Sequence, residues 1–198
     1  MRTEWLRHSL EESRRLDRAL YGAVARNRTP FLDAVFARLS RAADYSRLSL
    51  TAATVLALAG GPRGRRAAGR GLASVAVTAT VVNVALKPLT RRRRPITALA
   101  RPLVRMPRSR SFPSGHTAAA FAFATGAARA LPPVALPLHA LAALVGYSRV
   151  YTGVHYPVDV ASGALCGMAL AELTNAYADR LRDVDEASQD QQGTQHES

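Results

Sequence analysis

Lysine, cysteine and acid are scarce in this chain of 198 residues. Lys87 is the single lysine among 27 Lys plus Arg, so a role that needs a flexible ammonium rather than a planar guanidinium fork is confined to one position. Cys166 is also alone; no internal disulfide can form, and the residue reads as a small buried hydrophobe. From Tyr45 to Val158 there is no Asp or Glu against 16 Lys plus Arg. A Mg or Ca site, which needs several oxygen ligands, has no material in that stretch, and no zinc-type Cys/His spacing occurs. The first twenty residues, "MRTEWLRHSLEESRRLDRAL", hold no uninterrupted apolar stretch of the secretory-signal kind, so export as a soluble protein is not expected.

What is present is charge and apolar length. A net charge of +13 calls for an anionic partner: nucleic acid, a membrane surface or a phosphorylated substrate. The mean hydropathy of −0.04 averages polar ends with an apolar middle. Residues 9–12, "SLEE", fit a capping box, and Leu10, Leu16, Leu20 and Val24 predict an amphipathic helix ending near "RNRTP". Pro30 then opens a second short helix, and both suit a membrane interface. Apolar runs follow at 46–61, 71–87, 115–131, 133–149 and 157–177. They are close to the length that crosses a bilayer and rich in small residues, with Gly163 and Gly167 one helical turn apart. The reading is an all-α, multi-pass transmembrane bundle of about five membrane helices. N-terminal amphipathic helices (1–44) precede the membrane-embedded core (45–178), and a polar, disordered tail (179–198) follows it. A soluble helical core is the competing reading.

If the second to fifth runs each cross, four polar stretches emerge on one face. Lys87 ends the second run and Arg91 to Arg94 follow it; an isolated arginine run is a solvated loop or a nucleic-acid patch, but beside a membrane helix it is equally an anion site. "PSGH" (113–116) opens the third run: Ser114 can cap the helix, Gly115 lets backbone approach a ligand, and His116 shares a first turn whose free N–H groups favour phosphate. "SRVYTGVHYPVD" (148–159) holds Arg149, His155 and Asp159, with Pro157 suited to a first helical position. Asp159 ends the acid-free stretch four residues after His155, and could bond one imidazole nitrogen while leaving the other free as nucleophile or base. A histidine near a carboxylate is often only structural. His139, inside an apolar run, reads as a packing residue, and His8 and His196 as exposed.

Together the stretches "KPLTRRRRP" (87–95), "PSGH" (113–116) and "SRVYTGVHYPVD" (148–159) resemble the type 2 phosphatidic acid phosphatase superfamily, which includes lipid phosphate phosphatases and vanadium haloperoxidases. The resemblance implies a membrane phosphatase without metal or other cofactor. In it His155 attacks phosphorus to form a phosphohistidine, Asp159 orients His155, and His116 protonates the leaving group. Lys87, Arg94, Ser114, the Gly115 amide and Arg149 would hold the phosphate oxygens, and Arg91 to Arg93 would only keep the loop near anionic headgroups. The expected partners are a lipid phosphate substrate and membrane lipids, not nucleic acid; a homo-oligomer stays open. Undecaprenyl diphosphate is the first expected substrate, then phosphatidate, phosphatidylglycerol phosphate or a polyprenyl phosphosugar. A soluble acid phosphatase or a vanadate haloperoxidase-like enzyme is the alternative. The resemblance also implies a site on the external face of the cell membrane, although eight arginines in loop 88–113, against four in 61–70, would favour the inside by charge counting.

Overall fold

The computed structural model describes residues 2–90, 92–95 and 102–196. They are mainly helical, with no strand among them: α1 Arg2–Arg26, α2 Pro30–Ala42, α3 Arg47–Ala59, α4 Gly61–Leu89, α5 Gly115–Ala130, α6 Ala135–Tyr151 and α7 Pro157–His196. Pro30 takes the first turn of α2 as expected, and the Thr29 hydroxyl accepts the Leu32 N–H at 3.3 Å. Three expectations are corrected. α1 starts at Arg2, so "SLEE" lies inside a helix rather than at its start. The 61–70 segment, read as a loop, is the first half of α4, since Pro62 fits its first turn and the remaining residues carry no breaker stronger than glycine. α7 continues to His196 through the supposed disordered tail, whose Leu, Arg, Glu, Gln and Ala favour a helix that starts on a packed segment.

Small side chains set the helix spacing. Ala53, Ala67, Ala68, Val75, Ala119, Phe123 and Ala127 form a core shared by α3, α4 and α5. α7 closes on α5 at the Gly163 and Gly167 pair, where added Cβ atoms would stand 2.5 Å from the Ser114 carbonyl oxygen and 2.2 Å from that of Ala118. Nothing larger than glycine permits that approach. Arg70, from the misread loop, ties α4 to α7 through Asp179 and, at 3.1 Å, Asn175.

Large apolar side chains point outward instead: Leu58, Val84, Leu136, Leu165 and Leu173 are exposed. α4 and Pro132–Tyr151, which is α6 with its preceding turn, are long and apolar enough to cross a membrane, yet only 22% and 39% of their most apolar windows are buried. A helix in the core of a soluble protein would hide such a window; these present it to their surroundings.

Candidate active site

Four helix ends meet where the motifs lie. α4 opens into a π-helical turn over Val81–Leu86 just before Pro88, whose ring crowds the carbonyl four residues back. Lys87 follows, its Nζ donating to Asn83 Oδ1 at 2.8 Å. The same Nζ stands 3.2 Å from where a Cβ on Gly115 would be, so the ammonium lies against the first turn of α5. Ser114 occupies the N-cap of α5, but its hydroxyl bonds Thr117 Oγ1 at 2.9 Å and caps no backbone N–H, contrary to the expected cap. First-turn amides are thereby left to a ligand.

α7 is joined to this turn directly: the Ser114 N–H donates to the Asp159 carbonyl at 2.9 Å. Pro157 starts the helix, and the Asp159 carboxylate, fully buried, accepts from the Tyr156 N–H at 3.0 Å and from the Ser111 hydroxyl. His155 Nδ1 lies 3.5 Å from Asp159 Oδ2, and its Nε2 lies 2.9 Å from Arg94 Nη1. Arg94 also donates to the carbonyls of Val154 and Ser109 at 2.9 and 3.0 Å, so the guanidinium is held in place beside the ring. Burial, opposed by Asp159 and reinforced by Arg94, pushes His155 down to about 4. The shift favours the uncharged ring, with Nδ1 turned to a carboxylate and Nε2 to the cations, an arrangement able to serve a nucleophile or a base.

Arg149, buried at the end of α6, donates to the Ser40 carbonyl at 3.2 Å and hydroxyl at 2.7 Å, and its backbone carbonyl accepts the His155 N–H at 3.1 Å. His116 Nε2 lies 2.9 Å from Asp44 Oδ1, which is also 3.6 Å from Arg149 Nη1. Lys87, Arg94, Arg149 and His155 are all within electrostatic reach of His116. The residues expected to act on a phosphate therefore fall in one cluster: Lys87, Arg94, Ser114, Gly115, His116, Arg149, His155 and Asp159. His139 lies elsewhere, bonded to the Ala135 carbonyl at 2.8 Å and edge-on to Phe121, as its apolar setting suggested.

Three participants were missed. Arg92, set aside as a headgroup contact, is bound to Asp17 and stands 3.0 Å from Asp159 Oδ1, with its guanidinium 4.9 Å over the Tyr156 ring. Arg91 lies outside the described residues, and Arg93 is exposed as expected. Asp17 of α1 is almost wholly buried and caps α7 from outside, its Oδ1 accepting the Val158 N–H at 2.9 Å. Asp44 is the third. One signal for it existed: it is the carboxylate at the other end of the acid-free stretch that Asp159 closes.

Comparison with known proteins agrees with this geometry. A family model described as the PAP2 superfamily matches residues 68–183. A decaprenylphosphoryl-5-phosphoribose phosphatase of Mycobacterium tuberculosis (strain H37Rv) is 37% identical over 132 residues, 62% of this chain and 69% of that protein. Undecaprenyl-diphosphatase BcrC of Bacillus subtilis (strain 168) is 35% identical over 72 residues, 36% of this chain and 37% of that one. The crystal structure of Aquifex aeolicus LpxE superposes with a TM-score of 0.68 at 28% identity, covering 82% of this chain and 96% of its own. A transmembrane PAP2-type phosphatidylglycerolphosphate phosphatase from Bacillus subtilis gives 0.67 at 28%, covering 85% and 87%. A cluster of cations around two histidines, on a helical scaffold shared with these enzymes, places the chain in the PAP2 superfamily, and it is a phosphatase.

Proposed function

We propose that the protein hydrolyses a lipid phosphate or diphosphate in the membrane, without a metal ion, through a phosphohistidine. The observation that carries this reading is the meeting of Lys87, Arg94, Arg149, His116, His155 and Asp159 from three separated stretches of sequence. His155 Nε2 forms a bond to phosphorus while the bond from phosphorus to the leaving oxygen breaks. The leaving oxygen keeps the electron pair and takes a proton from His116. Water then attacks phosphorus and gives a proton back to His116, and the phosphorus–nitrogen pair returns to His155. Asp159 holds Nδ1 throughout. The guanidinium groups, the Lys87 ammonium, Ser114 and the Gly115 amide balance the charge on the oxygens, the electrostatic work of phosphoryl transfer.

The substrate proposed first is undecaprenyl diphosphate. The name of the mycobacterial relative brings a polyprenyl phosphosugar up beside it, ahead of phosphatidate and phosphatidylglycerol phosphate. We place α3, α4, α5, α6 and the first half of α7 across the membrane, α1 and α2 at its surface, and the site on the external face. The test is phosphate release in EDTA from a panel of these lipids, added to sealed right-side-out vesicles. The parent should release phosphate from at least one polyprenyl substrate. His155→Ala should lose on the order of 10⁴-fold or more, as removal of a nucleophile does. Turnover that survives in His155→Ala contradicts the reading, and turnover only after the vesicles are opened contradicts the external face.

A further inference from the structure

General acid work at His116 meets an electrostatic obstacle. Lys87, Arg94 and Arg149 act on the ring, the His155 ring is close by, and Arg105 and Arg108 line the cavity beside it. Burial first, and then these cations, disfavour a proton on the ring, yet it must hold one to protonate a leaving group. Among the described residues one carboxylate touches it: Asp44, with Oδ1 at 2.9 Å from His116 Nε2 and 3.6 Å from Arg149 Nη1. Asp44 belongs to none of the motifs. It begins the turn Asp44–Ser46 between α2 and α3, in which Tyr45 and Ser46 both sit in the left-handed region, at φ 55 and 57, though neither is glycine. Non-glycine residues stay there only when their surroundings hold them. Here Arg149 grips Ser40 at the end of α2, so the guanidinium that faces Asp44 also fixes the segment leading to it.

We propose that Asp44 is the positioning residue of the general acid, turning His116 Nε2 toward the cavity of about 430 Å³ that the two residues share with Arg105 and Arg108, and giving the ring a carboxylate partner among those cations when it carries the proton it must donate. This rests on the acid role given to His116 above. As the leaving oxygen enters, it replaces Asp44 at Nε2. The phosphorus–oxygen bond breaks, its electron pair stays on that oxygen, and the proton moves from Nε2 to it. His116 becomes neutral and is ready to accept the proton of the attacking water, which restores the ion pair.

An alkoxide needs a proton to depart; p-nitrophenolate leaves without one. kcat/KM of the full chain in mixed micelles is therefore compared for a long-chain alkyl phosphate and for p-nitrophenyl phosphate, in the parent, Asp44→Ala, Asp44→Asn and His116→Ala. Both Asp44 variants should lose about 100-fold on the alkyl phosphate and about threefold or less on the aryl one, the loss of acid catalysis alone. Asn should behave like Ala, because it keeps the shape and lacks the charge, and it serves alone if Ala fails to accumulate. Equal losses on the two substrates, or none on either, overturn the proposal. Selectivity in His116→Ala without it in the Asp44 variants overturns Asp44 alone. Absence of selectivity in His116→Ala overturns Asp44 together with the acid role beneath it.

Discussion

His155 and His116 each face a carboxylate, but the two pairs are built differently. Asp159 is four residues from its histidine, fully buried, and held by Ser111, Tyr156 and Arg92. Asp44 comes from 72 residues upstream and its side chain is 40% exposed, on the wall of an open cavity. The first pair is a fixed part of the scaffold, made by one turn of chain around Pro157. The second is assembled between elements far apart in sequence, on the side where the proposed mechanism puts the leaving group. Chemistry common to every substrate belongs in the rigid half, and discrimination between leaving groups belongs in the half that solvent reaches.

Asp159→Asn probes that contrast with the largest expected effect among changes outside the histidines. An amide offers Nδ1 a neutral partner that can turn its donor towards the ring, so the nucleophile loses both orientation and charge support. Loss of the carboxylate behind a catalytic histidine has cost about 10⁴-fold in another hydrolase, and a loss of that order is expected here on alkyl and aryl phosphates alike. The nucleophile takes part in the same step whichever group leaves. If Asp159→Asn spared the aryl substrate as Asp44→Asn should, the two halves would be doing the same work and the contrast would collapse.

Arg92→Ala comes next. From sequence alone this arginine is one of a run of four at positions that vary between family motifs, and its loss would matter little. In the structure it joins Asp17 of α1 to Asp159. Its removal strands two buried carboxylates. Stranding a buried charge costs roughly 3–5 kcal/mol, and because Arg92 keeps some solvent contact, the lower end, about 3 kcal/mol, is expected. Chemical denaturation of Arg92→Ala, with and without Asp17→Asn, measures it. Asp17→Asn should recover part of the loss if the clamp is electrostatic. No recovery would leave Arg92 as a packing residue over Tyr156.

The legibility of the site follows the same division. Spacing announced what one helix turn can assemble: Ser114 to His116 at the start of α5, and His155 with Asp159 at the start of α7. The close approach of α5 and α7 was visible in Gly163 and Gly167. Asp17 meets Arg92 across 75 residues and Asp44 meets His116 across 72, and no local pattern encodes such a meeting. The start of α4 was misjudged for a related reason. "GPRGRRAAGR" looks like a loop when glycines and arginines are counted, but Pro62 is placed to begin a helix, and Arg70 finds its carboxylate on α7.

The smallest effect separates the halves by pH. His155, pushed down to about 4 by burial, stays neutral in the folded protein, whereas in an unfolded chain a histidine titrates near 6.5. Between those values the unfolded state binds a proton that the native state refuses. Stability therefore falls as pH falls through that window, by the linkage between proton binding and folding. His155→Gln has no such group. Between about pH 7.5 and about pH 5 the apparent unfolding midpoint of the parent should drop further than that of the variant, by a few degrees for a chain of this size. A drop of the same size in both would mean that His155 is already protonated in the folded protein. The lone pair that faces Arg94 would then be absent, and His155 would be no readier to attack phosphorus than His116.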